Sequence, residues 1–260
     1  MMAAPSQLDV RTPAKGRFIT FEGGEGAGKS TQVKRLRARL AELGIETIVT
    51  REPGGSPEAE RLRGLLLSGV IAPLGAAAEA IVFSAARIDH LDKTIRPALE
   101  EGCFVICDRF IDSTRAYQGA TGKVDKGLIA DLEKAVAGDT MPDLTVILDV
   151  PVETGLDRAR GRGEGADRFE QEQVSFHETV RQSFLATAQA EPERCIVVDA
   201  TQPPDKIENQ IWRAVERRFL TDNSDNSRKP GKRGLRVVGS NERKGGTGKQ
   251  RRADREKDKA

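Results

Sequence analysis

The run Phe18-Ile19-Thr20-Phe21-Glu22, followed by Gly23-Gly24-Glu25-Gly26-Ala27-Gly28-Lys29-Ser30-Thr31, constrains this chain more than any other stretch. An apolar, strand-like segment turns through a glycine-rich loop. It then enters a helix patterned by Val33, Leu36, Leu40 and Leu43. Gly23 to Ser30 fits the phosphate-loop pattern G-x-x-x-x-G-K-[ST]. Glycines let successive N–H groups turn toward phosphate oxygens at backbone angles a Cβ opposes. The helix N-terminus adds partial positive charge behind them. Lys29 supplies a mobile cation for the β- and γ-phosphates, and Ser30 a hydroxyl for Mg2+. Gly23, Gly24, Glu25, Gly26, Ala27, Gly28, Lys29, Ser30 and Thr31 are thus the expected ATP-binding residues. The bland alternative, a glycine-rich turn without function, does not account for the strand before it and the helix after it.

Beyond this loop, strand-like runs alternate with helical ones. Ile45–Thr50, Cys103–Cys107, Leu144–Val150 and Cys195–Val198 read as further strands. A helix is expected from Pro57, with Leu62, Leu65 and Leu66 as its apolar stripe, to Gly69. Glu79–Glu101 is helical in pattern, and Pro97 should kink it or start a new segment. Leu128–Val136, Val152–Arg162 and Glu170–Ala190 are expected helices, and Ile207, Ile211, Ala214, Val215 and Phe219 pattern the last one. Such alternation predicts an α/β fold, a parallel sheet covered by helices on both faces. Ligands bind such sheets beyond the carboxyl ends of the strands. The phosphate loop, the loop at Arg51, Asp108-Arg109 and the segment after Asp199 all fall there.

Several classes are excluded or disfavoured. No run approaches the roughly 18 apolar residues of a transmembrane helix. Residues 1–16 lack an apolar signal core, so a flexible arm and a cytoplasmic location are expected. Cys103 and Cys107 are too far apart along a strand for a disulfide, and with Cys195 are expected to be buried thiols. His90 and His177 are the only histidines and lack metal-ligand spacing; His90 is read as structural. Charge is unevenly spread. Residues 221–260 hold 13 Lys and Arg against 6 Asp and Glu, leaving 29 against 34 elsewhere. From Asn223 hydrophobic patterning stops, so 221–260 is expected to be a disordered basic tail. Nothing beyond its charge supports a nucleic-acid contact. Its Gly245-Gly246-Thr247-Gly248-Lys249 lacks the flanking strand and helix of a second phosphate loop.

Within the remaining domain, 17–220, other residues carry chemistry. Asp108 closes an apolar strand, where a carboxylate can hold Mg2+ or its waters. Arg51 and Arg109 stand at two strand ends and can grip a second phosphate. That placement argues for an acceptor that is itself a phosphate ester. Arg158, Arg160, Arg162 and Arg168, interleaved with Gly161, Gly163 and Gly165, suggest a mobile lid over ATP at about 156–170. Phosphoryl transfer needs such cations on the migrating group. Arg162, nearest the glycine hinge, is the first choice for the catalytic cation and Arg158 the second. A phosphomonoester is largely deprotonated at neutral pH and attacks without a base, consistent with the lack of a candidate histidine base.

These residues resemble the bacterial thymidylate kinases. The likeness rests on Glu22 to Thr31, Thr50-Arg51-Glu52-Pro53-Gly54-Gly55, Phe83 to His90, Asp108 to Gly119 and Leu156 to Glu170, in order along 16–219. It implies a P-loop nucleoside-monophosphate kinase fold with five parallel strands in the order 2-3-1-4-5. It also implies a homodimer and transfer from MgATP to dTMP. By motif, Phe83 stacks on thymine, Arg87 hydrogen-bonds the base beside Thr114, and Tyr117 crowds the ribose 2′ position with Gln118 nearby. Arg51 and Arg109 hold the acceptor phosphate, and Glu52 and Ser113 belong to the same motifs. The phosphate loop has no arginine, so the chain resembles the form with arginine in the lid. One departure is Ala86, where many relatives carry Asp before the arginine; Asp89 lies on another side of the helix. Another monophosphate kinase of this fold, and a P-loop switch or nucleic-acid-binding module, are the rival readings. A switch would lack the second phosphate site.

Overall fold

The computed structural model describes residues 16–161, 168–169 and 171–221. Five parallel strands form one sheet in the order β2-β3-β1-β4-β5. They are β1 (Arg17–Glu22), β2 (Thr47–Arg51), β3 (Phe104–Asp108), β4 (Leu144–Asp149) and β5 (Cys195–Asp199). The sheet has the order that the resemblance implies.

Side-chain alternation explains why both faces are covered. Ile19 and Phe21 of β1, with Phe104 and Ile106 of β3, face one core. Against it lie α1 (Lys29–Glu42) and α9 (Pro204–Val215), through Val33, Leu36, Leu40, Ile207, Ile211 and Val215. Phe18, Val105 and Cys107 face the other core, with Leu91, Ile95 and Phe110. Full burial of side chains such as Phe21 and Phe104 contributes about 1.5–3 kcal/mol each. The three cysteines are buried free thiols, as expected.

The helix from Pro57 to Leu67 is α2. Leu66 is buried in it, but Leu65 is 43% exposed. Leu62 and Leu66 are one turn apart, whereas Leu65 is rotated off that face, so the expected three-leucine stripe is narrower than read. A capping role falls to Asp89: its carboxylate accepts from the Ser56 hydroxyl at 2.6 Å and from the N–H groups of Glu58 and Ala59. It therefore caps α2 and does not take the place of an acid at Ala86. After Gly75 the chain runs as α3 (Ala76–His90), a π turn (Leu91–Ile95) and α4 (Arg96–Glu100). Pro97 sits in the first turn of α4, where its missing N–H costs little.

The segment after β3 is helical, which the sequence pattern did not reveal. It comprises α5 (Ile111–Thr114) and a π turn (Arg115–Thr121) that buries Ala116, Tyr117 and Gln118. Next come α6 (Lys126–Val136), α7 (Val152–Arg160) and α8 (Val174–Ala190). The expected helix to Arg162 ends at Arg160, and the one expected from Glu170 begins at Val174. Residues 162–167 and 170 of the expected lid, Arg162 among them, the N-terminal arm to residue 15 and the tail from 222 lie outside the described residues.

An ion-pair network pins α5. Arg194 donates to both oxygens of the fully buried Asp112 at 2.8 Å and to the Thr145 hydroxyl at 2.7 Å. Arg115 bridges Asp112, Glu133 and Glu191. Removing one partner leaves a buried charge underpaired, which is the costly case. Arg194→Met is expected to lower the unfolding free energy by about 3 kcal/mol, measured by urea denaturation. Adding Asp112→Leu should recover part of that loss; a neutral single substitution would show that the network does not hold α5.

Candidate active site

The sheet register brings the site together. Phe21 of β1 and Arg51 of β2 both pair with Asp108 of β3, so three strands end level. Beyond them lies a cleft of about 840 Å3. The phosphate loop from Glu25 to Thr31 forms one wall; Arg51, Glu52, Phe83, Arg87, Asp108, Arg109, Ser113, Thr114, Tyr117 and Gln118 line the rest.

No side chain caps α1, and its first turn carries no acid, so its N-terminal donors are available to an anion. Lys29 Nζ donates to the carbonyls of Gly23 and Gly24 at 3.0 and 2.9 Å. Burial is the largest influence on that ammonium and lowers its pKa; Arg109 adds to this. Ser30 Oγ donates to Asp108 Oδ2 at 3.0 Å, which joins the two residues expected at a metal. Gly26 is constrained twice. Its φ is +65°, and a Cβ there would lie 1.8 Å from the Gly155 carbonyl oxygen. The backbone of α7 therefore packs directly on the phosphate loop.

Arg109 stands at φ +69°, a left-handed conformation uncommon for a non-glycine residue. That turn aims its guanidinium back over the loop. It donates to Glu25 Oε1 at 2.5 Å and lies 5.1 Å from the Tyr117 ring centre. The Tyr117 hydroxyl donates to the same Glu25 oxygen at 2.9 Å. Burial raises the Glu25 pKa, but Arg109, Lys29 and the Tyr117 hydroxyl outweigh it and hold the carboxyl at about 2. Arg51 is more exposed and is held by Glu60 at 3.0 Å.

On the opposite side, Arg87 Nε donates to Glu52 Oε2 at 2.7 Å and its Nη2 to the Thr114 hydroxyl at 3.0 Å. Gln118 donates to Glu79, which also pairs with Arg168 at 2.6 Å. Phe169 lines the cleft and meets Tyr117 edge to face at 5.4 Å. Arg158 lines it too, with Nη1 donating to the Ala200 carbonyl at 2.9 Å. Arg160 points elsewhere: it is exposed and pairs with Asp157. Neither histidine lines the cleft.

Lys34, Arg63, Phe110 and Phe169 also line it; Phe110 and Phe169 lie within the matching motifs, but none of the four was expected as a site residue. Arg63, which donates to the Pro53 carbonyl at 2.7 Å, lies one residue from Leu62 of the expected stripe. Helical spacing alone could have placed it on the edge of the inward face.

Glu22 sits beneath the site. It is fully buried and accepts from the Phe110 N–H at 2.8 Å and the Ser113 hydroxyl at 2.7 Å. Burial first, and the Asp112 carboxylate second, raise its pKa well above the ordinary glutamate range. A raised folded pKa favours the protonated native state. Stability linked to Glu22 is therefore fullest below the ordinary glutamate range and declines as pH rises through the raised value. Glu22→Gln keeps the shape, with its amide able to serve Phe110 and Ser113. From about pH 6 to about pH 8 the wild type should lose about 1 kcal/mol more stability than this variant. Equal losses in chemical denaturation at the two pH values would refute the account.

Comparisons with known proteins agree with this geometry. The thymidylate kinase family model matches residues 21–211. A thymidylate kinase from a Bradyrhizobium strain is 54% identical over 213 residues, covering 81% of this chain and 94% of that protein. One from Afipia carboxidovorans is 57% identical over 211 residues, covering 80% and 92%. The crystal structure of an Ehrlichia chaffeensis thymidylate kinase superposes with a TM-score of 0.62 at 34% identity, covering 78% of this chain and 99% of that one.

Proposed function

The chain belongs to the thymidylate kinase family, and on that premise we propose how its cleft works. The enzyme transfers the γ-phosphoryl group of ATP to dTMP, giving dTDP and ADP. The observation that supports the division of labour is the single cleft with a phosphate loop on one wall and Arg51, Arg87 and Arg109 on the other. ATP occupies the loop, with Lys29 swinging from its carbonyl partners to the β- and γ-phosphates. Arg51 and Arg109 take the acceptor phosphate; Phe83, Arg87, Thr114 and Gln118 take the base; Tyr117 excludes a 2′-hydroxyl; Glu52 and Ser113 hold these groups in place.

Acceptor phosphate and donor phosphate both carry negative charge, so the protein's work is to hold them in line against their repulsion. The acceptor oxygen is already largely deprotonated, so no general base is required. Ser30 and Asp108 are hard oxygen donors 3.0 Å apart, a donor set that suits Mg2+ retaining waters and phosphate oxygens as its other ligands. Bound there, Mg2+ would neutralise charge on the phosphates. The kinase domain spans 17–220, and the tail is dispensable for turnover. Supporting a homodimer, α2 and α3 present exposed Leu65, Ile81 and Ile88. Sedimentation returning a monomer would overturn that assembly. No helix among the described residues is long and apolar enough to cross a membrane. We assign the enzyme to the cytoplasm, where nucleotides and buried free thiols are at home.

Coupled ADP release with a panel of monophosphates tests the substrate. Turnover should depend on dTMP, and Tyr117→Ala should raise the ribonucleotide rate relative to it. The lid assignment is tested separately. A cation acting mainly in the transition state lowers kcat on removal with little change in ground-state binding. Arg162→Ala should lower kcat about 10²–10³-fold with KM for dTMP little changed, and Arg158→Ala should have a smaller effect. Arg160, exposed and paired with Asp157, should be near neutral. Near-normal kcat in all three variants would place the catalytic cation elsewhere.

A further inference from the structure

His90 is buried completely and does not itself line the cleft, yet it touches the frame of the acceptor wall from two sides. Its Nε2 lies 2.7 Å from the Thr50 hydroxyl. Its Nδ1 lies 3.1 Å from Glu52 Oε1. These two partners flank Arg51 in sequence, at the end of β2. The other oxygen of Glu52 holds Arg87, and Arg87 in turn reaches Thr114. One imidazole thus ties together the strand end that carries Arg51, the α3 arginine and the α5 threonine.

The surroundings are shaped to this ring. A Cβ on Gly55 would stand 2.3 Å from both His90 Nε2 and Thr50 Oγ1, so only glycine there leaves room for the pair. The Gly55 carbonyl is itself held by the Thr94 hydroxyl at 2.8 Å. A carboxylate oxygen accepts, so Nδ1 carries the hydrogen. A neutral ring then leaves Nε2 to accept from the Thr50 hydroxyl. No hydrophobic side chain of similar volume can serve both partners. Removing the ring also leaves Glu52 buried with one fewer donor, which frees it to draw Arg87 into a different geometry.

We propose that His90 is a positioning residue for dTMP binding, setting Arg51 and Arg87 through Thr50 and Glu52. The proposal rests on the acceptor-side reading of the cleft given above. It separates binding of the acceptor from binding of ATP, because, among the described residues, the side chains of His90, Thr50, Glu52 and Arg87 make no direct bond to the phosphate loop, which they reach only through the backbone of Asp108.

Steady-state kinetics on the full chain test it. His90→Phe fills the volume without either bond. It should raise KM for dTMP about tenfold, with KM for ATP within about twofold and kcat within about threefold. His90→Asn returns a donor at the Nδ1 position but not the bond to Thr50, so its KM for dTMP should fall between wild type and the phenylalanine variant. Thr50→Val breaks the same chain from the other end and should raise that KM about threefold. A merely space-filling histidine predicts that the phenylalanine variant, which keeps the volume, folds with both KM values unchanged. Unchanged KM for dTMP, or equal rises in both KM values, overturns the proposal. If His90→Phe does not fold, the asparagine and valine variants decide in the same way. Arg51→Ala and Arg87→Ala separate the two levels. If neither raises KM for dTMP, the acceptor-side reading fails; if they do and the His90 and Thr50 variants do not, only this inference fails.

Discussion

Parallel pairing of β1 and β3 is the constraint from which the rest of this site follows. With Phe21 opposite Asp108, the phosphate loop leaves β1 at the level where β3 delivers Asp108 and Arg109. Ser30, the second residue of α1, then meets Asp108 at 3.0 Å. A one-residue slip would turn Asp108 to the other face of the sheet and bury Arg109 in an apolar layer. That register is itself fixed by the two cores, which take alternate side chains of both strands. Packing and chemistry are thus specified by the same pairing.

Buried acids do the next level of organisation. Glu22, Glu52 and Asp112 are each buried, and each holds a different segment of the cleft wall: Phe110 and Ser113, Arg87, and α5. None needs to touch a substrate to matter. Burying such groups is costly unless every oxygen is satisfied, and here each accepts at least two donors. Asp89 is the half-buried counterpart: it caps α2, which follows the loop from Arg51 to Gly55.

The left-handed turn at Arg109 shows how local geometry serves the site. At φ +69° the residue bends away from the continuing strand, and its side chain reaches Glu25 and Tyr117 rather than solvent. Glu25, Arg109 and Tyr117 form a compact group, an ion pair with a tyrosine hydroxyl, where the phosphate loop meets the opposite wall of the cleft.

The phosphate loop, the five strands and the cleft at their carboxyl ends were legible in the sequence, because loop chemistry and side-chain period are local properties. Arg51, Asp108 and Arg109 could be picked out for the same reason: each ends an apolar run, and a charged residue there has only one end of the sheet to occupy. The strand order came from family likeness, since pairing between distant strands leaves no trace in local period. Helical structure over 111–121 went unread because its α turn is only four residues long and continues as a π turn wider than 3.6 residues. Arg63 and Phe169 became part of the cleft only when α2 and the chain before α8 were brought to it. His90 is the sharpest case. Its neighbours in sequence suggest an ordinary core residue, and only the packing of α3 against the end of β2 gives both ring nitrogens polar partners far away along the chain. Sequence determined which residues could bind phosphate; tertiary structure decided which buried groups hold them in place, because those contacts join segments that have no local relation to one another.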